Sequence, residues 1–182
     1  MTLPPRNTLL KNGRICVLRS PTFSDAEDLI QYVIITSGET DFLVKYPDEV
    51  TITPEQEREY IEKLNSAPRQ AMILAEVDGR LAGNCTFHPV GSRARNHHRC
   101  SIGIALYEKY WGLGIGSAML DLLLEEAAKC GFEQAELEVR ARNERAIALY
   151  KKKGFTETGR IPHAAKHRDG SYDDDLILVK ML

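Results

Sequence analysis

The 182-residue chain contains no run of 18 apolar residues, which excludes a membrane-spanning α-helix. It contains no C-x-x-C pair. Its 4 cysteines, Cys16, Cys85, Cys100 and Cys130, lie far apart. The 5 histidines, His88, His97, His98, His163 and His167, do not join them at metal-ligand spacing, so no metal site is expected. Separated cysteines in apolar segments read as small buried hydrophobes in a reducing, cytoplasmic setting. Neither charge sign dominates: 24 Lys and Arg stand against 26 Asp and Glu, a net charge of −2. That balance excludes a chain built chiefly to bind nucleic acid. Residues 1–14 show no apolar core of signal-peptide length, and no membrane partner is expected. There is no internal repeat and no low-complexity linker. At 43% hydrophobic and 27% charged, the composition is that of an ordinary globular domain. The length suits one domain over residues 1–182, large enough to bury a core without disulfides or metal.

Residues 14–19 read as a strand, and Ser24 as the N-cap of a helix that follows. Pro54 opens a second helix with Tyr60, Ile61 and Leu64 on one face. Residues 71–77 and 81–87 are strand-like and flank Asp78-Gly79, a strong hairpin signal, with a bulge expected at Gly83. Residues 91–98 form a polar loop, and residues 100–106 a buried strand. A long helix over 115–130 is apolar on all but one narrow stripe. A strand over 135–139, a helix over 143–153 ending at Gly154, and strands over 156–160 and 175–181 complete the chain. The order predicts an α/β domain with a mixed sheet and one parallel crossover.

One feature carries chemistry. The segment 102–117 reads IGIALYEKYWGLGIGS: a buried strand runs into Gly112, Gly114 and Gly116, then directly into a helix. Glycines allow a sharp turn and close backbone approach, and a helix N-terminus offers free N–H groups to a phosphate. The Walker pattern needs a Lys that is absent before Ser117, and the dinucleotide fingerprint lacks its final glycine. Taken alone, the turn is equally a tight connection with no ligand.

Residues 139–155 read VRARNERAIALYKKKGF. This resembles the second signature of the GNAT superfamily of acyl-CoA-dependent N-acetyltransferases, with Asn143, Ala146, Leu149, Tyr150, Gly154 and Phe155 at the matching positions. The glycine turn is similar to that family's Q/R-x-x-G-x-G/A loop, except that Trp111 stands where Gln or Arg is usual. The resemblance covers roughly residues 14–181. It implies a mostly antiparallel seven-stranded sheet with a central splayed parallel pair and about four helices. It implies acetyl-CoA as cosubstrate and no metal. The pantetheine arm would pair with Ile104 and Leu106, and the pyrophosphate would lie on Trp111, Gly112, Leu113, Gly114, Ile115, Gly116 and Ser117. Asn143 and Ala146 would flank the arm, with Asn143 also placed to cap its helix. Tyr150 would be the general acid that protonates the leaving thiolate. GNAT proteins often dimerise, so a homodimer is allowed.

The acceptor is less defined. A lysine-like amine is neutral about 1 time in 2,500 at pH 7, and an α-amine about 1 time in 7, so a base matters most for a polyamine. The Glu often found on the first splayed strand is replaced near there by Ser101. Glu39 is the candidate base in its stead, and Glu39, Asp41, His98 and Asp174 are candidate acceptor contacts. With Asp48, Glu49, Asp173 and Asp175 they suggest an acidic cleft that draws a small cationic amine. A peptide or protein N-terminus is the alternative acceptor. A non-catalytic acyl-CoA-binding module is the alternative of another class.

Overall fold

The computed structural model describes all 182 residues. The chain runs β1 (Arg6–Leu9), β2 (Ile15–Arg19), α1 (Ala26–Glu39), α2 (Pro54–Ser66), β3 (Ala71–Val77), β4 (Arg80–Pro89) and β5 (Arg99–Leu106). It continues through α3 (Ile115–Lys129), β6 (Gln134–Arg140), α4 (Glu144–Lys152), β7 (Thr156–Lys166) and β8 (Tyr172–Met181). The strands form one sheet in the order β1-β2-β3-β4-β5-β6-β8-β7. Only β5 and β6 run parallel. The expected mixed sheet with a central parallel pair and four helices is present, with eight strands rather than seven. The added strand is β1, too short and polar (RNTL) to stand out; pairing with β2 creates it. No helix is long and apolar enough to cross a membrane.

Local chemistry accounts for most boundaries. Thr53 accepts the Gln56 N–H, Gln56 returns the bond to the Thr53 N–H, and Pro54 occupies the first helical position of α2. Asp78 and Gly79 both adopt positive φ, +51° and +71°, the geometry of the tight β3–β4 hairpin. The bulge falls on β4 next to Gly83, as expected: Ala75 and Glu76 pair with Gly83 and Leu81, and Ala82 is the extra residue. The start of α1 differs from the expected Ser24 cap. Asp25 accepts the Thr22 N–H at 2.6 Å while its carboxylate is gripped by Arg19, so a short 3-10 turn precedes the helix. β7 runs beyond residue 160 because a register shift between Ile161 and Ala165 carries it past Pro162 and His163, which break the pattern in sequence.

The sheet is buried on both faces at β3. Ala71, Ile73, Ala75 and Val77 pack with Met119, Leu120 and Leu123 of α3 in the main core. Met72 and Leu74 face the other way, against Leu29 and Tyr32 of α1 and Ile61 and Leu64 of α2. This is why β3 reads as a continuous apolar run rather than an alternation.

Candidate active site

β5 and β6 begin side by side and then part. Their parallel register comprises only Arg99↔Gln134, Cys100↔Ala135 and Ser101↔Glu136. β4 stays paired with β5 through Leu106, and β8 stays paired with β6 through Arg140. Past Ser101 the edge of β5 that faces β6 therefore has no strand beside it. Buried backbone groups need partners, so such an edge can receive an extended chain. A cleft of about 650 Å³ opens there. One wall is Ile102 to Leu106. The other is Glu138, Val139 and Arg140 of β6 with Asn143, Ala146, Leu149 and Tyr150 around α4.

The glycine turn closes one end. Gly112 and Gly114 have φ of +77° and +96°, a region that side chains disfavour. Gly114 is the residue preceding α3. A Cβ on Gly116 would lie 3.2 Å from Leu149 Cδ2 and 3.4 Å from Leu106 Cδ1, so glycine lets α3 approach both cleft walls. The first N–H groups of α3 have no intrahelical acceptor and carry the positive end of the helix dipole. Ile115 is buried in the core, so only its backbone can serve a ligand. Trp111 and Gly116 line the cleft itself.

Trp111 spends its one side-chain donor within the protein. Its Nε1 donates to the Leu106 carbonyl at 3.0 Å. One of the two carbonyl lone pairs expected to face a pantetheine arm at Leu106 is therefore engaged, and the open edge is centred on Ile104. The Arg145 guanidinium lies 4.4 Å above the Trp111 ring. A cation supplied from α4 thus stands over the side chain of the residue that precedes the glycine turn. Among residues that can hold acetyl-CoA, the turn, the β5 edge and Arg145 form one continuous surface.

Asn143 accepts the Ala146 N–H at 3.1 Å through its side-chain oxygen. The cap is thus real, and its amide nitrogen remains for a ligand. Tyr150 lines the cleft although only 5% of it is exposed, with its ring edge-to-face against Phe155 at 5.7 Å. Burial raises its pKa above the ordinary phenol value, with the nearby Cys85 thiol adding to the effect. The hydroxyl is therefore held protonated.

The four expected acceptor contacts do not converge. Glu39 accepts the Glu108 N–H at 2.8 Å and so caps a 3-10 turn outside the cleft lining. His98 precedes β5 at the paired end of the splay, where its carbonyl accepts the Glu133 and Gln134 N–H groups. Asp174 accepts from Arg160 at 2.8 Å and from the His163 N–H at 2.8 Å. Asp41 borders a separate pocket of about 50 Å³ next to the cleft. The expected acidic field is also neutralised. Asp48 pairs with Arg168 at 2.7 Å, Asp173 with Arg142 at 2.7 Å and His167 at 2.9 Å, and Asp175 with Arg140 at 2.5 Å. Arg142 and Arg168 hold the Asp173 and Asp48 carboxyls below their usual range. The arginines Arg140, Arg142 and Arg145, rather than the aspartates, line the cleft.

The residue that sequence reasoning missed is Glu138. The alternation of β6 puts Glu136, Glu138 and Arg140 on one face. Glu136 is taken by Arg99 at 2.7 Å. Glu138 is exposed and lines the cleft, on the strand that faces the open edge of β5. Asn84 and Thr86 of β4 also line the cleft.

The family profile described as acetyltransferase (GNAT) family matches residues 38–155. An N-alpha-acetyltransferase of Sulfurisphaera tokodaii is 31% identical over 112 residues, covering 56% of this chain and 66% of that protein. The L-amino acid N-acetyltransferase AaaT of Escherichia coli is 29% identical over 121 residues, covering 66% of this chain and 74% of the relative. The crystal structure of a GNAT-family acetyltransferase from Streptococcus pneumoniae superimposes with a TM-score of 0.87 at 28% identity, over 92% of this chain and 99% of the other. With the splayed pair and the glycine turn in place, the chain belongs to the acetyltransferase (GNAT) family and is an N-acetyltransferase of that type.

Proposed function

We propose that this chain moves an acetyl group from acetyl-CoA to a primary amine by direct transfer, with both substrates bound in one cleft. The observation that carries it is the splay itself: an unpaired strand edge leads from the glycine turn into a cleft whose lining includes Tyr150 and Glu138. Acetyl-CoA supplies the acyl group as an activated thioester. The glycine turn and Arg145 hold its phosphates by backbone N–H groups and charge. The β5 edge around Ile104 and the Asn143 amide align the arm.

Tyr150 donates a proton to the departing sulfur, and its raised pKa keeps that proton in place at neutral pH. Glu138 takes the proton that the amine sheds, directly or through one water. It replaces Glu39 as the base, since Glu39 is committed to the Glu108 N–H.

The test is a thiol-release assay with acetyl-CoA and an amine panel, comparing wild type with Glu138→Gln. Loss of the base should slow turnover about 100-fold at neutral pH, within the usual range for general base catalysis. The deficit should shrink as pH rises, because more of the acceptor is then already neutral. A deficit that stays constant with pH assigns Glu138 to binding instead. Tight acetyl-CoA binding with no turnover on any amine would favour a non-catalytic module.

A further inference from the structure

The segment between α1 and α2 crosses the splay and is fastened at both ends. At its start Glu39, the last residue of α1, accepts the Glu108 N–H at 2.8 Å, just beyond the end of β5. At its far end Tyr46 and Asp48 meet Arg168, in the turn between β7 and β8. In the order β5-β6-β8-β7 the two anchors stand on opposite sides of the point where β5 and β6 part. Phe42, Leu43 and Val44 lie between them and line the cleft.

Arg168 is the polar tether of this strap at its far end. None of residues 41–50 is buried, so core packing does not fix them. Their only hydrogen bonds to residues outside 40–50 are three that end on Arg168. The Arg168 N–H donates to the Tyr46 hydroxyl at 3.1 Å, and Nη2 donates to both Asp48 carboxylate oxygens at 2.8 and 2.7 Å. The guanidinium lies 4.0 Å from the centre of the Tyr46 ring. A gap of about 50 Å³ separates the strap from the end of β7, so the clasp rather than close packing joins them. Arg168 is itself held by its turn, where the His167 N–H donates to the Ser171 carbonyl at 2.8 Å and Asp169 accepts the Ser171 N–H at 2.9 Å.

We propose that Arg168 is a positioning residue for the acceptor amine: its clasp on Tyr46 and Asp48 holds the strap across the splay, and so holds Phe42, Leu43 and Val44 against the acceptor. This rests on the acetyltransferase reading above. Holding one reactant in line with the other supplies much of an enzyme's rate, and a wall that shifts loses it. The clasp is also able to yield. The Arg168 and Asp48 side chains are 59% and 65% exposed, and an exposed ion pair is weak and screened by salt. Stacking on Tyr46 adds a contact that lysine, with neither the flat face nor the fork, reproduces poorly. Releasing the clasp frees the far end of the strap without breaking an α-helix or a strand.

The experiment reads the strap and the acceptor separately. Lys45 is exposed within the strap, so the rate at which trypsin cuts the folded protein after Lys45 reports how often the strap is free. Arg168→Gln should raise that rate about 3- to 30-fold, the range of an exposed ion pair combined with an exposed cation–π contact. Thiol release is then followed with spermidine, leucine and a short peptide with a free N-terminus. On each amine that wild type uses, the acceptor KM should rise about threefold or more in the variant and kcat should fall less, with the Kd for CoA unchanged. Arg168→Lys should recover part of both losses, and the gap between wild type and Arg168→Gln should narrow as salt rises. Arg160→Gln, which breaks a pair to Asp174 and touches no strap residue, should change neither reading. Unchanged cleavage at Lys45 would overturn the clasp. Faster cleavage with an unchanged acceptor KM, or a raised KM without faster cleavage, would overturn the positioning role. Wild type that binds no CoA and releases no thiol with any of these amines would instead overturn the acetyltransferase reading beneath it, while cleavage at Lys45 still reads the clasp.

Discussion

Replacing Tyr150 by Phe removes one oxygen and leaves the ring in its contact with Phe155. Packing should survive, with a stability change below about 1.5 kcal/mol, as for other volume-conserving core swaps. The catalytic loss can be worked from the leaving group. If the thiol of CoA behaves like cysteine, with a pKa of about 8.5, expelling it unprotonated at pH 7 costs about 2 kcal/mol, or about 30-fold in rate. General acids commonly contribute about 100-fold or more, so 30-fold is a floor. The same arithmetic gives the pH dependence. The deficit should be largest at low pH and narrow as pH approaches about 8.5, where thiolate and thiol leave with equal ease. In wild type, burial moves the Tyr150 pKa upward, so its protonated form extends to higher pH, and no alkaline loss below about pH 10 should trace to it. The assay is kcat at saturating acetyl-CoA across this pH range, with Kd for CoA and Tm as controls. A kcat within about threefold of wild type at neutral pH, with CoA binding intact, would refute the acid role, because it lies well under the floor set by the leaving group.

Gly83→Ala should destabilise the fold by about 1–3 kcal/mol, the usual cost of overpacking. The new Cβ would fall 2.3 Å from Leu106 Cδ2 and 2.5 Å from the Ala105 carbonyl oxygen, and the latter is backbone. Thermal unfolding should show the drop, with weaker CoA binding as the end of β5 shifts. The protein should also lose stability on the alkaline side. Burial pushes the Cys16 thiol up to about 11 and Cys100 to about 12, from an ordinary 9.0. A raised folded-state pKa means the stabilising neutral thiol is fully present below the unfolded pKa and is lost as pH climbs through the folded one. Tm should therefore decline from about pH 9 upward, and Cys16→Ala should flatten part of that slope. Asn143 separates its two roles by substitution. Asn143→Ala removes the α4 cap and should cost about 1 kcal/mol, whereas Asn143→Asp keeps the acceptor for the Ala146 N–H and removes the amide donor. CoA affinity that falls in both variants supports the ligand role; affinity kept in Asn143→Asp leaves only the cap.

The parts of this molecule that were legible in sequence are those whose cause is local. Thr53-Pro54 starts α2, Asp78-Gly79 turns the β3–β4 hairpin and Gly154 ends α4, each within a few residues of the chemistry responsible. The glycine turn and the 143–155 segment were legible for the same reason. The strand β1 was not, because four polar-flanked residues become a strand only through β2. The charge of the cleft was misread for a deeper version of that reason. Asp173, Asp174 and Asp175 form one acidic run in sequence, yet the order β6-β8-β7 sets arginines from both neighbouring strands against them. Arg140 is 35 residues from Asp175 and Arg142 is 31 from Asp173. Glu39 meets its partner across 69 residues. Even Glu138 was visible as one of two acids on the polar face of β6. What selects it over Glu136 is Arg99, which the β5–β6 register places beside Gln134 and so diagonally within reach of Glu136 before the strands part. The divergence of β5 from β6 thus opens the cleft and leaves, on its wall, the one β6 carboxylate beyond the reach of Arg99.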